Sequence, residues 1–325
     1  MKAITNAKIG GNEARLQKWG YIFVLPFVLV FAGFNLYPTV YTLFLSFTDL
    51  KGLNPQFNIT GLANFARLAR DPYFWGAVGN TFIMWGWNFV PQLGIAFLLS
   101  VWFSDVTLRL KGCGAVRAII YMPNLLTAAS VAMLFRSLFA YPVGPVNQFL
   151  QSLGIYAEVV RDGQTVQEAF NFFRSVPVSR GIVSFIQWWM WYGQTVILLM
   201  AGITSIPVSL NEAAVIDGAN SRQITWRITL PLLRPIMLYT LVTSMIGGMQ
   251  MLEVPFLLTD MRGAPDFKIR TTAVYLYNLA FQGVNDYSYA AAISIGVFII
   301  TLILALLIFF FMQDRSDIKK KGGRS

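Results

Sequence analysis

The stretch Glu212–Gly218 reads EAAVIDG, and Ile228–Pro231, which reads ITLP, follows after nine further residues. This polar, helix-competent segment lies between two strongly apolar parts of the chain. Pro207 is suited to begin a short helix, and we predict that Ser209 and Glu212 cap it as an S-x-x-E capping box. The chain is therefore predicted to form a short helix in a loop between two buried or membrane-spanning elements.

A second short helix is predicted after a bend in the same loop. Gly218 supplies the backbone freedom with which many helices end. Pro231 and Pro235 are predicted to stop the second helix before the next apolar run. A solvated amphipathic connector would also explain the charged residues of the loop. Such a connector would not require this spacing.

The composition excludes a water-soluble globular protein. Of 325 residues, 56% are hydrophobic and only 12% are charged, and the mean hydropathy is +0.57. Such a chain cannot cover its apolar surface with polar groups, so we predict an integral membrane protein.

Six apolar stretches reach the length of about 20 residues that a bilayer requires. They predict an all-α protein with six transmembrane helices at Tyr21–Phe44, Ala77–Phe103, Ala115–Leu138, Ile182–Ile203, Ile236–Leu258 and Tyr289–Met312. The membrane domain then covers residues 19–312, between an arm at 1–18 and a basic tail at 313–325. Helix breakers inside the spans predict bends and freed backbone groups that line a cavity; they are Pro26, Pro38, Pro91, Pro123, Gly247, Gly248 and Pro255.

The net charge of +10 has a topological explanation and does not require a nucleic-acid partner. Lysines and arginines concentrate in the arm, in the loop with Arg109 and Lys111, and in the tail. The segments 141–180 and 260–286 are nearly neutral. The positive-inside rule therefore predicts that both termini and the Glu212 loop are cytoplasmic.

The residue inventory leaves little room for chemistry in this chain. It has no histidine and a single cysteine, Cys113, which excludes histidine metal sites and an internal disulfide. No phosphate-binding P-loop is present, because the glycines of Lys111–Gly114 lack its spacing. We predict neither ATP hydrolysis nor any other catalysis, and no metal or cofactor of its own.

A candidate substrate pathway lies in the fourth span. Trp188, Trp191, Tyr192 and Thr195 share one helix face, and aromatic faces with the nearby Gln194 amide suit a saccharide. An interfacial aromatic belt without a ligand explains the same tryptophans equally well.

The fifth span adds the clearest ionisable group, Glu253, one turn after Gln250. Carboxylates within a membrane are costly unless they are paired or hydrated, so Glu253 is predicted to face the pathway. The alternative is an ion pair with Arg136 or with an arginine of another subunit. For Arg136 itself, snorkelling to the interface is the favoured interpretation.

The spacing of the Glu212 loop resembles, position for position, the EAA loop of permease subunits of binding-protein-dependent ABC importers. Further motifs resemble the maltose-type permeases of carbohydrate importers, the carbohydrate uptake transporter-1 family, and they extend over nearly the whole chain: Leu25–Phe27, Phe34–Pro38, Leu45–Asp49, Gly61–Phe65, Asn80–Thr81, Gly144–Asn147, Leu258–Thr259 and Gly263–Pro265. Residues 152–180 match no motif of that family.

The resemblance implies the type I ABC importer permease fold in a bacterial or archaeal cytoplasmic (inner) membrane. It implies a second homologous permease, forming a heterodimer, two cytoplasmic ATPases that bind ATP and Mg, and an extracytoplasmic solute-binding protein that delivers a sugar or oligosaccharide. It also implies an ATPase-coupling role for Glu212, Ala213, Ala214, Asp217, Gly218, Ile228, Leu230 and Pro231.

Three other functions are considered. A glycerol-phosphate-ester importer of the same family would need arginines in the pathway, and only Arg136 is at hand. An ion-coupled secondary transporter would need several buried acids and inverted repeats. A membrane-embedded enzyme would need clustered catalytic acids or histidines.

Overall fold

The computed structural model describes residues 9–52, 56–104, 113–161, 164–283 and 285–312. The predicted tail 313–325, residues 1–8 of the predicted arm, and the charges of Arg109 and Lys111 lie outside these ranges. Within them, helices dominate, and one antiparallel hairpin joins β1, Ala157–Arg161, to β2, Gln164–Glu168.

The helices follow one another in this order: α1 Ile9–Phe31, α2 Tyr37–Leu45, α3 Ala63–Arg70, α4 Pro72–Ser104, α5 Cys113–Tyr121, α6 Ala128–Leu138, α7 Pro145–Ser152, α8 Val176–Thr204, α9 Val208–Ile216, α10 Ser221–Ile224, α11 Leu230–Leu232, α12 Arg234–Met249, α13 Glu253–Leu258, α14 Thr272–Phe281 and α15 Tyr287–Met312. Short 3₁₀ turns cover Met122–Leu125 and Phe172–Arg174.

Four segments are long and apolar enough to cross a membrane: Trp19–Leu45, Pro72–Ser104, Arg234–Leu258 and Tyr287–Met312. The described residues reach six candidates if two bent helix pairs each count as one span. In the first pair, Gly114–Leu125 meets Ala128–Leu138 at 88°; in the second, α8 meets α9 at 69°. The third predicted span is thus a sharply bent pair, and six spans stays a prediction.

The prolines act in different ways. A π-helical turn, Ala32–Leu36, precedes Pro38, and another, Thr225–Thr229, precedes Pro231. The wider turn accommodates the proline ring and its missing N–H without ending the helical path. Pro91 lies inside the unbroken helix α4, whereas Pro123 belongs to the 3₁₀ turn at the 88° bend.

Helices α4 and α8 form the centre of the fold. Met84 and Ile186 are completely buried between them, and the Gln92 amide donates a hydrogen bond to the Thr195 hydroxyl at 2.8 Å. Helix α5 joins this pair at Gly193, where an added Cβ would collide with the Ile120 carbonyl group. The close approach fixes the framework on which the candidate site is built.

The first span differs from the rest of the fold. No residue between Trp19 and Leu45 is buried, and large apolar side chains such as Phe23 and Phe34 are about four-fifths exposed, at 82% and 79%. The α2 end lies against α15. The span therefore adds almost nothing to the core of its own chain.

A polar cluster closes one end of the bundle. The Asp71 carboxylate accepts hydrogen bonds from the hydroxyls of Tyr275, at 2.6 Å, and Tyr289, at 2.5 Å. Burial raises the pKa of Asp71, but these hydrogen bonds outweigh it and the net pKa is lowered. Asp286 is buried nearby and accepts from Arg67 at 2.9 Å. The cluster fixes α14 and α15 against the start of α4.

Candidate functional site

An open cavity of about 610 Å³ lies among α4, α8, α12 and the start of α13. Aromatic rings line part of it, and polar groups line much of the rest: Asn88, Gln92, Gln187, Gln194, Thr195, Tyr239, Thr240, Thr243, Ser244, Gln250 and Glu253. Amides and hydroxyls both donate and accept hydrogen bonds. The cavity is therefore suited to a polar, uncharged molecule with many hydroxyl groups.

The polar wall depends on a break between α12 and α13. Helix α12 ends at Met249, close to the predicted glycine pair, and α13 begins at Glu253. Two freed carbonyls receive hydroxyl donors from the start of α14: Thr271 donates to Met251 at 2.6 Å, and Thr272 donates to Met249 at 3.1 Å. The break is thus satisfied by the protein, and Glu253 lies at the first turn of α13, where a carboxylate is favoured.

The predicted pathway residues are only partly brought together. Five of them line the cavity: Trp191, Gln194, Thr195, Gln250 and Glu253. Trp188 and Tyr192 instead stack on each other with ring centroids 5.3 Å apart, outside the lining. The predicted helix face of four residues is therefore divided: Trp191 and Thr195 line the cavity, whereas Trp188 and Tyr192 pack on each other.

The alternative ion pair between Glu253 and Arg136 is wrong. The Arg136 guanidinium pairs with Asp260 and donates to the Leu257 carbonyl at 3.0 Å. It thereby holds the far end of α13 rather than its first residue. Arg136 lies in the last turn of α6, and its snorkelling to the membrane interface stays a prediction.

Sequence reasoning missed the contribution of α4. Asn88 and Gln92 line the cavity one turn apart, and two buried amides in an apolar span were a readable signal. Trp85 also lines it and donates from its indole N–H to the Ser244 hydroxyl at 3.2 Å. Gly248 makes room for this ring, because an added Cβ would collide with the indole.

Helix α9 ends as the sequence predicts, but its start differs from the prediction. Gly218 has a φ of +80°. The N–H of Gly218 bonds to the Val215 carbonyl at 3.0 Å, and that of Ala219 to the Ala214 carbonyl at 2.9 Å, which is the Schellman arrangement. The predicted capping box of Ser209 and Glu212 is wrong, because α9 starts at Val208 and Pro207 caps it without a side-chain bond.

The second short helix carries the capping box instead. The side-chain Oδ1 of Asn220 accepts from the backbone N–H of Gln223, and the side-chain Oε1 of Gln223 accepts from the backbone N–H of Asn220, both at 2.9 Å. The predicted stop between Pro231 and Pro235 is found, but Pro231 itself does not end the helical path: the path continues through it to Leu232, and α12 begins at Arg234 with Pro235 in its first turn. Leu233, which is buried, forms the break between them.

The bend presents apolar side chains on the outside of the chain. Val208, Leu210, Val215 and Ile216 are 66%, 44%, 62% and 85% exposed. Ala214 faces inward and is buried, while Glu212, Ala213 and Asp217 are exposed. Trp226 contacts the buried Phe97 of α4 with ring centroids 6.2 Å apart. The bend is thus fixed to the bundle and leaves an apolar outer surface uncovered.

Comparison with known proteins identifies the fold. Two solved structures superpose on 93% of this chain at 24% identity. One, with a TM-score of 0.75, is a bacterial ABC transporter involved in the import of the acidic polysaccharide alginate. The other, with a TM-score of 0.73, is the alginate ABC transporter in complex with an alginate pentasaccharide-bound periplasmic protein. The chain therefore shares its fold with a chain of these ABC transporters.

Sequence relatives give the family. The chain is 31% identical to the lactose transport system permease protein LacF of Rhizobium radiobacter, over 91% of this chain and 94% of LacF. It is 28% identical to the arabinooligosaccharides transport system permease protein AraP of Bacillus subtilis, over 88% and 86%. No family model matches.

The chain belongs to the family of ABC sugar-transporter permeases that these relatives represent. The resemblance seen in the sequence is confirmed. As a member, it is a non-catalytic membrane subunit of an ATP-driven transporter.

Proposed function

We propose that the chain forms the translocation path for a sugar or oligosaccharide in an ABC importer. The observation that carries this proposal is the cavity of about 610 Å³ within the bundle, which aromatic rings, amides and hydroxyls line together. Its volume lies in the range of sites for small molecules. Its rings, with Trp191 47% exposed, offer stacking faces for the C–H surface of a pyranose. Gln194, Gln250 and Glu253 then accept or donate hydrogen bonds to sugar hydroxyls.

The bend between α9 and α10 is the proposed contact with the ATPases. Its residues are those of the EAA loop, from Glu212 to Pro231, within the segment 207–235. Their exposed apolar surface supports a protein partner, because an isolated patch of this kind in water is unfavourable. The excess of basic residues in the arm, the Arg109 loop and the tail supports a cytoplasmic position for the bend and both termini.

We propose that the chain acts with a homologous second permease, as a heterodimer, two ATPases that bind ATP and Mg, and an extracytoplasmic solute-binding protein. The unpacked first span, Trp19–Leu45, supports the second permease, since its Asn35 lies mid-helix and exposed, where lipid alone would leave an amide unpaired. The proposed location is the cytoplasmic (inner) membrane of a bacterium or archaeon.

A glycerol-phosphate ester is the weaker substrate. Among the described residues that line the cavity there is no arginine or lysine, and the one charged side chain is Glu253. A phosphate would be repelled by that carboxylate. Membership in an ABC permease family also argues against an ion-coupled secondary transporter or a membrane-embedded enzyme.

The test is sugar uptake by the assembled transporter in proteoliposomes, normalised to the amount of complex. Trp191→Ala removes a ring from the cavity, and we expect it to reduce uptake about tenfold, since stacking contributes on the order of 1.4 kcal/mol. Glu253→Gln should weaken binding by about 1–3 kcal/mol. Trp188→Ala is the matched control, because that ring lies outside the cavity; it should leave normalised uptake within about twofold.

Equal effects of Trp188→Ala and Trp191→Ala on normalised uptake would mean that the cavity is not part of the translocation path. Transport of a glycerol-phosphate ester in place of all oligosaccharides tested would replace the proposed substrate.

A further inference from the structure

Helix α3 carries two arginines in different electrostatic surroundings. Arg67 donates to the buried Asp286 carboxylate at 2.9 Å, and its guanidinium lies 3.7 Å from the centroid of the Tyr289 ring. Arg70, the last residue of the helix, is exposed. The neighbouring Asp71 carboxylate is already occupied, because it accepts from two tyrosine hydroxyls. Among the residues that the structure describes, Arg70 therefore has no counter-charge.

Two aromatic rings flank the junction between α3 and α4. Tyr73 and Trp75 are 58% and 51% exposed. The Trp75 indole N–H donates to the Ala69 carbonyl at 3.1 Å, and this bond holds the ring against the last turn of α3, beside Arg70. Tyrosine and tryptophan are enriched at the level of the lipid headgroups, because each has an apolar ring and a polar tip. The junction thus combines an unpaired cation with two rings of the interfacial type.

The length of α4 places this junction at a membrane surface. Trp102, near the other end of the helix, is also exposed, at 58%. About 27 residues separate it from Trp75, which corresponds to about 40 Å along the helix axis at 1.5 Å per residue. A bilayer with its headgroup regions is about 40–45 Å thick. The two tryptophans therefore mark the two membrane surfaces, and Arg70 lies just beyond the first of them.

This surface is the one remote from the α9–α10 bend. Arg180 donates to the Asn80 side chain at 2.6 Å near the starts of α8 and α4, and Gln92 donates to Thr195 further along both helices. The two helices thus run in the same direction, and the bend follows the end of α8. Arg70 is accordingly placed among the headgroups of the opposite leaflet.

The face of α4 below the two rings is apolar. Ile83, Val90 and Leu98 recur at helical spacing and are exposed. Asn88 and Gln92, which line the cavity, project from the other side of the helix at 100° per residue. The exposed face is therefore separate from the candidate substrate pathway. A ligand that matches it needs an anionic group at the level of Arg70 and an apolar part at the level of Ile83.

We propose that Arg70, Tyr73 and Trp75 bind the headgroup phosphate of an anionic phospholipid, whose acyl chains lie along the apolar face of α4. A phospholipid carries its negative charge and its apolar chains at these two levels. Guanidinium groups bind phosphate oxygens through paired, charge-assisted hydrogen bonds. A headgroup with net negative charge is favoured over a zwitterionic one, because no ammonium group then offsets the attraction to the arginine.

The test is the binding of phosphatidylglycerol to the detergent-solubilised transporter, purified with its partner subunits and followed by native mass spectrometry. Arg70→Gln should raise the half-saturating lipid concentration about tenfold, because a charge-assisted contact to the phosphate is lost. Arg70→Lys should raise it only about threefold, since the charge remains while the paired hydrogen bonds are lost. Trp75→Ala should weaken binding of phosphatidylglycerol and phosphatidylcholine alike, because the ring does not distinguish their charges.

Arg174→Gln is the matched control. Arg174 is likewise exposed, and no residue of the described ranges forms an ion pair with it. It lies in the 3₁₀ turn before α8, away from the α3–α4 junction. The same change of charge should there alter the half-saturating concentration by less than about twofold.

Two further ligands distinguish a lipid from other sources of phosphate. Phosphatidylcholine with the same acyl chains should bind more weakly than phosphatidylglycerol, and Arg70→Gln should change its binding little. An excess of soluble glycerol phosphate should not displace phosphatidylglycerol, because it has no acyl chain to lie along α4.

The inference is overturned if Arg70→Gln and Arg174→Gln have equal effects, if phosphatidylcholine binds as tightly as phosphatidylglycerol, or if soluble glycerol phosphate displaces the lipid. The occupant of the face can also be identified directly. Trp75→Cys in a Cys113→Ser background, labelled with a photoreactive maleimide in the assembled transporter, should attach to lipid. Attachment to another subunit would show that a protein covers this face and would also overturn the inference.

Discussion

Two helix breaks in this protein leave backbone N–H and C=O groups free, and the two breaks supply hydrogen-bond partners for these groups in different ways. At the bend between α9 and α10, the bonds are local: Gly218 closes one helix on Val215, and Asn220 caps the next through Gln223. At the break between α12 and α13, the donors are distant, because the Met251 carbonyl is satisfied by Thr271, twenty residues further along the chain.

The difference follows from the surroundings. The bend is exposed, so water can satisfy whatever its own side chains leave open, and the local sequence is sufficient to form it. The break lies inside an apolar bundle, where an unpaired carbonyl is expensive and only another element can supply a donor. A bend of the first kind is formed by its own residues, whereas a break of the second kind depends on the packing of α14.

The largest effect is expected at Gly218. Gly218→Val places a β-branched residue at a φ of +80°, which such side chains strongly disfavour. We expect normal membrane levels but transport reduced more than about tenfold, since strain of roughly 1–3 kcal/mol would displace the bend. Gly218→Asn is the control, because asparagine tolerates this conformation. Normal normalised uptake by the valine variant would show that the shape of the bend is not required.

The distant donor gives the next largest effect. Thr271→Val keeps the shape of a completely buried side chain but removes the donor to the Met251 carbonyl and the acceptor for the Val274 N–H. We expect a loss of stability of about 1–3 kcal/mol, measured as a lower midpoint of thermal unfolding in detergent. Thr271→Ser should restore most of it.

Thr301→Val is a control for the loss of a threonine hydroxyl in general, because the Thr301 hydroxyl donates to the Val297 carbonyl within its own helix. An equal shift for Thr271→Val and Thr301→Val would mean that the break needs no distant donor.

The smallest effect separates the capping box found in the structure from the one expected from the sequence. Asn220→Ala should destabilise the start of α10 by about 0.5–2 kcal/mol, seen as faster amide hydrogen exchange at Gln223. Ser209→Ala should change exchange in α9 little, because α9 has no side-chain cap bond. Faster exchange in α9 on Ser209→Ala, with no change in α10 on Asn220→Ala, would mean that Ser209 and not Asn220 is the capping residue.

The same distinction explains what the sequence could predict. Features set by neighbouring residues were readable: the apolar spans, the positive φ at Gly218 and the end of a helix near Gly248. The capping box failed because Ser209 has the right spacing, but α9 already begins at Val208, which places its side chain beyond the capping position. Pro231 has the sequence signature of a helix stop, but the preceding π-helical turn accommodates it, so the break falls two residues later, at Leu233.

Features set by packing were not readable in this way. The separation of Trp191 from Trp188 depends on Tyr192 stacking with one and not the other. The pairing of Arg136 depends on the loop that brings Asp260 to the end of α6. Asn88 and Gln92 are visible in the sequence as amides within an apolar span, but their position in the cavity wall depends on how α4 packs against α8. Each of these needs positions in space that helical periodicity alone does not provide.

The first span, Trp19–Leu45, has a consequence for how this chain changes over generations. None of its side chains is buried in its own bundle, so substitutions there change the packing energy of the core very little. Its sequence is constrained instead by contacts with lipid and with the neighbouring subunit. Related chains could therefore exchange this helix as a unit. We expect the span to diverge in step with a neighbouring subunit rather than with α4 and α8, as a removable part with its own selective history.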